Sequence, residues 1–413
     1  MKQTCERPPR VLAILPGIIP STYITVVKPF LELHRQGFIN ARISLEVFAN
    51  LGNLPQVDLV VFCRNTEPKY ADTLDAILKR RIPYIYDLDD NFFAISGNSN
   101  VAKYHRDPTR LALLTRYIRH ANHVRVYSEE LLRKVQTLNP QTERVLGPVD
   151  QRLLPRERRP SNHGKIKLVY ATNRHRDDFV SICLNPLTRV LNEYPERVEL
   201  HLWGCDLPKL RRCEGVQYHP PISDYDHFFR SFARSAYDIA LAPLTDDIFS
   251  RSKSDNKFRE YGACGLAGIY SRVRVYTDCV ENDVTGILVS NDPEEWYNAI
   301  VRLIEDHSLR EAIQMNARKY VLTHYSLGKF ERVWYEQIRN VLERSRKGEP
   351  CEPGSETLKE KNDEASTLHG LNLVVKLFLL LSNLRRGNIS EQVSAVLCYV
   401  RIRIRLWCSG PHP

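Results

Sequence analysis

The chain has 413 residues, 43% of them hydrophobic and 26% charged, which excludes a minimal peptide module, a disordered polymer and a collagen-like repeat and leaves room for two or three domains. Its 59 Lys and Arg against 49 Asp and Glu give a net charge of +10, an excess that points to anionic partners but lacks the dense basic stripe of a nucleic-acid binder, so no nucleic acid is expected. The ten cysteines form no pair at two-residue spacing and have no partnering His cluster, which excludes zinc-ribbon and thioredoxin-like chemistry; with no signal-like apolar stretch after Met1, a reducing cytoplasm is expected.

In chain order, RVLAILP (10–16) reads as a strand, followed by Gly17, a Pro-Ser pair and the helical VVKPFLELHRQG. The strand VDLVVFCR (57–64), helical YADTLDAILKRR, the short strand PYIYDLDD, helical RLALLTRYIRHA and the strand HVRVYS continue the alternation. Such an order predicts a parallel sheet covered on both faces. The pattern breaks over 151–164 (QRLLPRERRPSNHG), read as a linker between a first domain over 1–150 and a second over 165–345. In the second half, KIKLVYAT, VELHLWG, YDIALAPL, AGIYS and GILVS alternate with helical segments near 187–194, 228–234 and 256–265. The expected fold class is therefore α/β, two Rossmann-like domains facing across a cleft, with a C-terminal extension over 346–413. That extension passes from an acidic, polar stretch into a basic and aliphatic tail. The tail suits peripheral contact with an anionic membrane at the cytoplasmic face, a helix packed on the body or a partner, or a strand in VRIRIRLW. Its longest apolar run, 371–381, falls well short of the roughly 20 residues of a membrane-spanning helix.

Strand ends at the carboxyl edge of such sheets line the ligand crevice, and Gly17, Arg64, Asp87, Arg174, Gly204 and Pro243 fall there. The richest segment is SKSDNKFREYGACGLAGIYS (252–271). A helix starting after the capping residue Ser254 or Asp255 presents free N–H groups and its positive dipole end, and Lys253 and Lys257 add full charges, so the segment suits a diphosphate. Glu260, one turn beyond Asn256, offers two acceptor oxygens to the vicinal hydroxyls of a ribose; the plainer reading is a solvated, charged helix. In ATNRHRDDF (171–179), Arg174 is placed to grip phosphate bidentately and His175 to donate to it, while Asp177 and Asp178 suit a helix cap. In YIYDLDDNFF (84–93), Asp87, Asp89 and Asp90 crowd one strand end and need an offset: a metal, Arg64 from the neighbouring strand, or water. Binding acceptor hydroxyls or fixing Arg64 is preferred there to a metal site, with helix capping by Asp89 or Asp90 as the plainer alternative. Gly17, lacking a Cβ, lets backbone approach a ligand.

The lysine-bearing segment, followed by VTGILVSNDPEEWYNAIVRLIEDHSLREAIQMNARKYVLTHYS, resembles the carboxyl-terminal domain of group-1 glycosyltransferases with the GT-B fold, over roughly Lys165 to Leu342. The resemblance implies an enzyme that takes a nucleoside-diphosphate sugar as substrate and needs no metal or other cofactor, with retention of anomeric configuration. Its donor would meet Gly17, Arg174, His175, Lys253, Ser254, Asn256, Lys257 and Glu260. A glycan, polysaccharide or lipid-linked acceptor would meet Arg64, Asp87 and Asp90, and Arg174, Lys257 and Asp89 would carry the catalysis. That family's helix has two glutamates; Glu260 matches the second, while Ser252 stands at the first. This departure marks a subgroup and motivates a rival reading, a non-catalytic scaffold that binds sugar or protein.

Overall fold

The computed structural model describes residues 7–49, 56–156, 164–172, 177–211 and 213–347. The first domain is a six-stranded parallel sheet of β1 (Arg10–Leu15), β2 (Asn40–Leu45), β3 (Leu59–Cys63), β4 (Tyr84–Leu88), β5 (His123–Val126) and β6 (Thr142–Arg144), in the order β2-β1-β3-β4-β5-β6. The second holds β7 (Ile166–Ala171), β8 (Val198–Trp203), β9 (Val216–His219), β10 (Ile239–Ala242), β11 (Ala267–Ser271) and β12 (Ile287–Val289), in the order β12-β11-β10-β7-β8-β9. All pairings within both sheets are parallel. The expectation of two facing α/β domains is met.

The inner strands read as near-continuous apolar runs because both faces are covered. LVVFC in β3 and IALA in β10 are buried throughout. The strands that the sequence pattern did not reveal, β2, β6 and β9, are all edge strands, where fewer residues are buried; NARISL in β2 alternates exposed and buried positions along most of its length. Both strand orders reverse direction once, between β1 and β3 in the first sheet and between β7 and β10 in the second. At such a reversal the loops leave on opposite faces and open a crevice at the carboxyl edge.

The expected domain limits are corrected at the C-terminal side. The helix Leu327–Arg346, assigned above to the second domain, packs on the first, where Phe330, Trp334, Ile338 and Val341 join the core around Val26, Val27 and Phe30. Trp334 meets Phe30 edge-on at 5.0 Å, and its indole N–H donates to the Thr25 carbonyl at 2.7 Å. The chain therefore crosses between the domains twice, and the two crossings pair with each other: Val149 N–H donates to Tyr325 O at 2.6 Å and Leu327 N–H to Val149 O at 2.9 Å. The linker also begins as structure, since Gln151–Leu153 forms a short 3-10 turn with Leu153 buried.

Candidate functional site between the domains

The lysine-bearing helix runs Asn256–Cys264 and ends at Gly265, whose φ of 70° gives the left-handed cap that suits glycine. Tyr261 pins this helix at the strand reversal: its hydroxyl accepts from Ala171 N–H at the end of β7 (3.3 Å) and donates to Leu241 O in β10 (3.2 Å). Gly262 allows close packing on the helix His307–His324, because a Cβ there would stand 2.7 Å from Val321 Cγ2 and 3.3 Å from Ala317 O. The helix start is uncapped by side chains. Asp255 occupies the capping position, but its carboxylate is drawn away to accept from the Tyr325 hydroxyl at 2.6 Å. Ser254 makes no such cap either, so both capping expectations fail and the first N–H groups stay available to an anion.

Beside that helix start, Lys257 Nζ donates to Glu260 Oε2 at 3.4 Å, and the Tyr225 hydroxyl donates to Glu260 Oε1 at 3.3 Å. Glu260 is 8% exposed, whereas the Lys257 side chain is 29% exposed and so presents its charge at the surface of the crevice. Asn256 turns its Oδ1 to the buried Arg259 guanidinium at 2.6 Å. Asn256 is thereby occupied within the helix rather than sharing the task of Glu260. Lys253 lies over the Phe249 ring at 4.1 Å. The loop after β10 is held by Ser271, whose hydroxyl accepts from Leu244 N–H at 2.8 Å and donates to Asn291 Oδ1 at 2.7 Å. Arg174 and His175, expected in the loop after β7, lie outside the described residues, as does the tail from residue 348 onward.

The first domain faces this with a different arrangement. A Cβ on Gly17 would meet nothing within 4 Å, so the loop after β1 borders open space. Arg64 follows β3 with a φ of 62°, and its guanidinium reaches Asp89 at 2.5 Å and Asp90 at 3.2 Å. These two acids therefore fix Arg64, the alternative read from their crowding. Burial raises the Asp89 pKa and the Arg64 charge opposes it. Asp87 is corrected. It lies within β4 rather than at its end, is fully buried, and accepts from Arg125 Nε (3.0 Å), the Tyr127 hydroxyl (2.8 Å) and the Thr25 hydroxyl (3.3 Å). No acceptor reaches it. Arg125 in turn lies 3.5 Å over the Trp334 ring and donates to Gln337, so Asp87 anchors the returning helix.

Two clasps hold the domains together. On one side Lys28 pairs with both Asp150 and Asp226 at 2.7 Å, and the Tyr23 hydroxyl meets Asp226 at 3.2 Å. On the other, Ser252 is fully buried; its hydroxyl accepts from Asn91 at 3.0 Å and its carbonyl from the Ser128 hydroxyl at 2.7 Å. Asp226 neighbours Tyr225 in the chain, so one clasp adjoins the group that positions Glu260. Sequence pattern missed Tyr225, Tyr261, Lys28 and Asn91, because each contact joins elements far apart in the chain and leaves no local spacing.

Residues 165–306 match the family model described as glycosyl transferases group 1. No curated protein sequence matches the chain. Among solved structures, the chain is similar to Alr3699/HepE of Anabaena in complex with UDP (TM-score 0.58, 16% identity, 80% of this chain and 100% of that one). It is also similar to sucrose-phosphate synthase from Thermosynechococcus elongatus (TM-score 0.60, 15% identity, 82% and 100%) and to a glycosyltransferase from Rickettsia africae ESF-5 (TM-score 0.58, 14% identity, 82% and 99%). The fold is GT-B. In GT-B terms the Asn256–Cys264 helix lies in the second domain, at its strand reversal, and Arg64 with Asp89 and Asp90 lies opposite in the first. Among the described residues no helix is long and apolar enough to cross a membrane.

Proposed function

We propose that this protein transfers a sugar from a nucleoside-diphosphate sugar to a hydroxyl of an acceptor. The observation that carries the reading is the uncapped helix start pinned at the strand reversal, with Lys257 and Glu260 side by side at its mouth. The diphosphate sits on the free N–H groups with Lys257, joined by Lys253 and, from the loop after β7, Arg174 and His175; Glu260, oriented by Tyr225, takes the ribose hydroxyls. The sugar–phosphate bond breaks, the acceptor oxygen bonds to the anomeric carbon, and its proton leaves on a phosphate oxygen. Lys257, Arg174 and the helix dipole stabilise the charge that grows on the leaving group. The acceptor lies toward Gly17, Arg64, Asp89 and Asp90. No metal is invoked, since Asp89 and Asp90 already have a cation in Arg64 and Asp87 has one in Arg125. Retention is proposed on the resemblance alone, and UDP complexes of the Anabaena protein favour a uridine nucleotide.

The test incubates the full chain with UDP-, GDP-, ADP- and dTDP-sugars and follows released nucleotide by mass spectrometry. One donor is expected to turn over, and Lys257→Ala and Glu260→Ala each to lower kcat/KM about 10- to 100-fold, the worth of a charge-assisted hydrogen bond. Nucleotide binding without turnover favours the second reading, a sugar-binding scaffold, which rests on Ser252 being spent on the domain contact. No binding of any nucleotide ends the transfer reading.

A further inference from the structure

Beside the first-domain half of the crevice, one aromatic side chain is presented in an unusual way. Tyr104, on the short helix Asn100–His105, is 43% exposed yet fixed on three sides. The Arg110 guanidinium lies 3.5 Å from the centre of its ring, its hydroxyl donates to Glu67 at 3.1 Å, and the His105 ring stands perpendicular to it at 5.0 Å. Arg110 is itself held by Glu67 at 2.9 Å. One face is thus backed by a cation, while 43% of the residue stays accessible to solvent. Val101, three residues earlier on the same helix face, is 46% exposed and widens the apolar surface. What sets Tyr104 apart from casual exposure is that its ring is held in place by Arg110 and Glu67.

Tyr104 is also connected to the crevice. His105 stacks flat on Phe92 at 4.3 Å, and Phe92 carries the Arg64 guanidinium at 4.9 Å, the same guanidinium that Asp89 and Asp90 hold. These steps form a continuous wall from the reacting edge of the first domain out to Tyr104. Beyond it, Pro68 and Thr109, the chain neighbours of Glu67 and Arg110, line a groove of about 580 Å³ between the helices Ala71–Lys79 and Pro108–His120.

A rigid, partly exposed ring beside a carboxylate suits a sugar ring: its C–H face lies on the aromatic plane while a hydroxyl finds an acceptor in Glu67 at the rim. Fixing the tyrosine beforehand removes the ordering cost that a loose surface side chain carries on binding. Building on the sugar-transfer reading above, we infer that the acceptor is an oligosaccharide whose reacting end lies at Arg64 and whose next rings cross Tyr104. A bilayer is the less favoured partner, because Tyr104 is tied into the wall by Glu67 rather than projecting from it.

The test titrates the full chain, saturated with UDP, with cellotetraose, maltotetraose, chitotetraose and mannotetraose and with their monosaccharides. At least one tetrasaccharide is expected to bind about ten-fold more tightly than its monosaccharide. Tyr104→Ala abolishes that advantage, Tyr104→Trp keeps it, and UDP affinity stays unchanged in both, which also shows that the variants fold. Equal tetrasaccharide binding by Tyr104→Ala, or no tetrasaccharide binding by a chain that binds UDP, overturns the inference. Flotation with phosphatidylglycerol vesicles that Tyr104→Ala removes, without tetrasaccharide binding, overturns it in favour of lipid. Failure to bind UDP while a tetrasaccharide binds counts against the sugar-transfer reading alone.

Discussion

The two domains share a strand plan but treat the charges at their crevice edges in opposite ways. In the first, Asp87 is locked to Arg125 and Tyr127, and Asp89 and Asp90 are locked to Arg64, so the charge there is neutralised from within. In the second, the Asn256–Cys264 helix keeps its start uncapped, and Lys257, ion-paired among the described residues only with Glu260, reaches the surface. The difference teaches that an open helix start can still receive an anion, whereas an edge neutralised by its own side chains suits a partner without charge.

The largest expected effect breaks the locked side. Asp87→Ala leaves Arg125 buried and unpaired and is expected to cost about 3–5 kcal/mol in urea unfolding. Lys257→Ala, which removes a partly exposed group, is expected within about 0.5 kcal/mol of wild type in the same measurement. Similar losses in the two variants would erase the contrast. A second effect of smaller size is pH-dependent. Glu46 is buried at the end of β2, and burial pushes its pKa up to about 7. Because the folded value lies above the usual 4.5, its neutral form stabilises the fold below pH 4.5, and that contribution is lost as pH rises toward 7. Wild type should therefore lose on the order of 2–3 kcal/mol across that window relative to Glu46→Gln, whose stability profile should lack this slope. Parallel profiles for the two proteins would contradict this account. The smallest effect tests the clasp that joins the unlike halves. Asp226→Asn leaves Lys28 with Asp150, so stability should fall by only about 1 kcal/mol. Amide exchange should rise in the helix Tyr225–Arg234 if the clasp orders it, and unchanged exchange there would count against that role.

Much of this was legible beforehand. Alternating apolar runs and helical periods identified the inner strands and most long helices, because burial on both faces writes itself directly into composition. The edge strands β2, β6 and β9 escaped, since a strand that buries less carries a weaker apolar signal. The segment 252–271 was recognisable as a candidate anion site from lysines, glycines and its place after a strand. Its cap was misread, because only the fold brings Tyr325 to Asp255. Asp87 was misread for the same reason: three neighbouring aspartates look alike in sequence, and only the sheet shows that one points into the core beside Arg125 while two reach the edge.

Two parallel α/β domains, a crevice at their carboxyl edges and a lysine-bearing helix start follow from local rules of periodicity, capping and strand–helix alternation, which act over a few residues at a time. Which aspartate is structural, which domain receives the last helix, which tyrosine orients Glu260 and which one is held beside Arg110 were decided by tertiary contacts between segments well separated in the chain. A side chain's chemistry depends on what surrounds it in space, and chain order specifies that only through the completed fold.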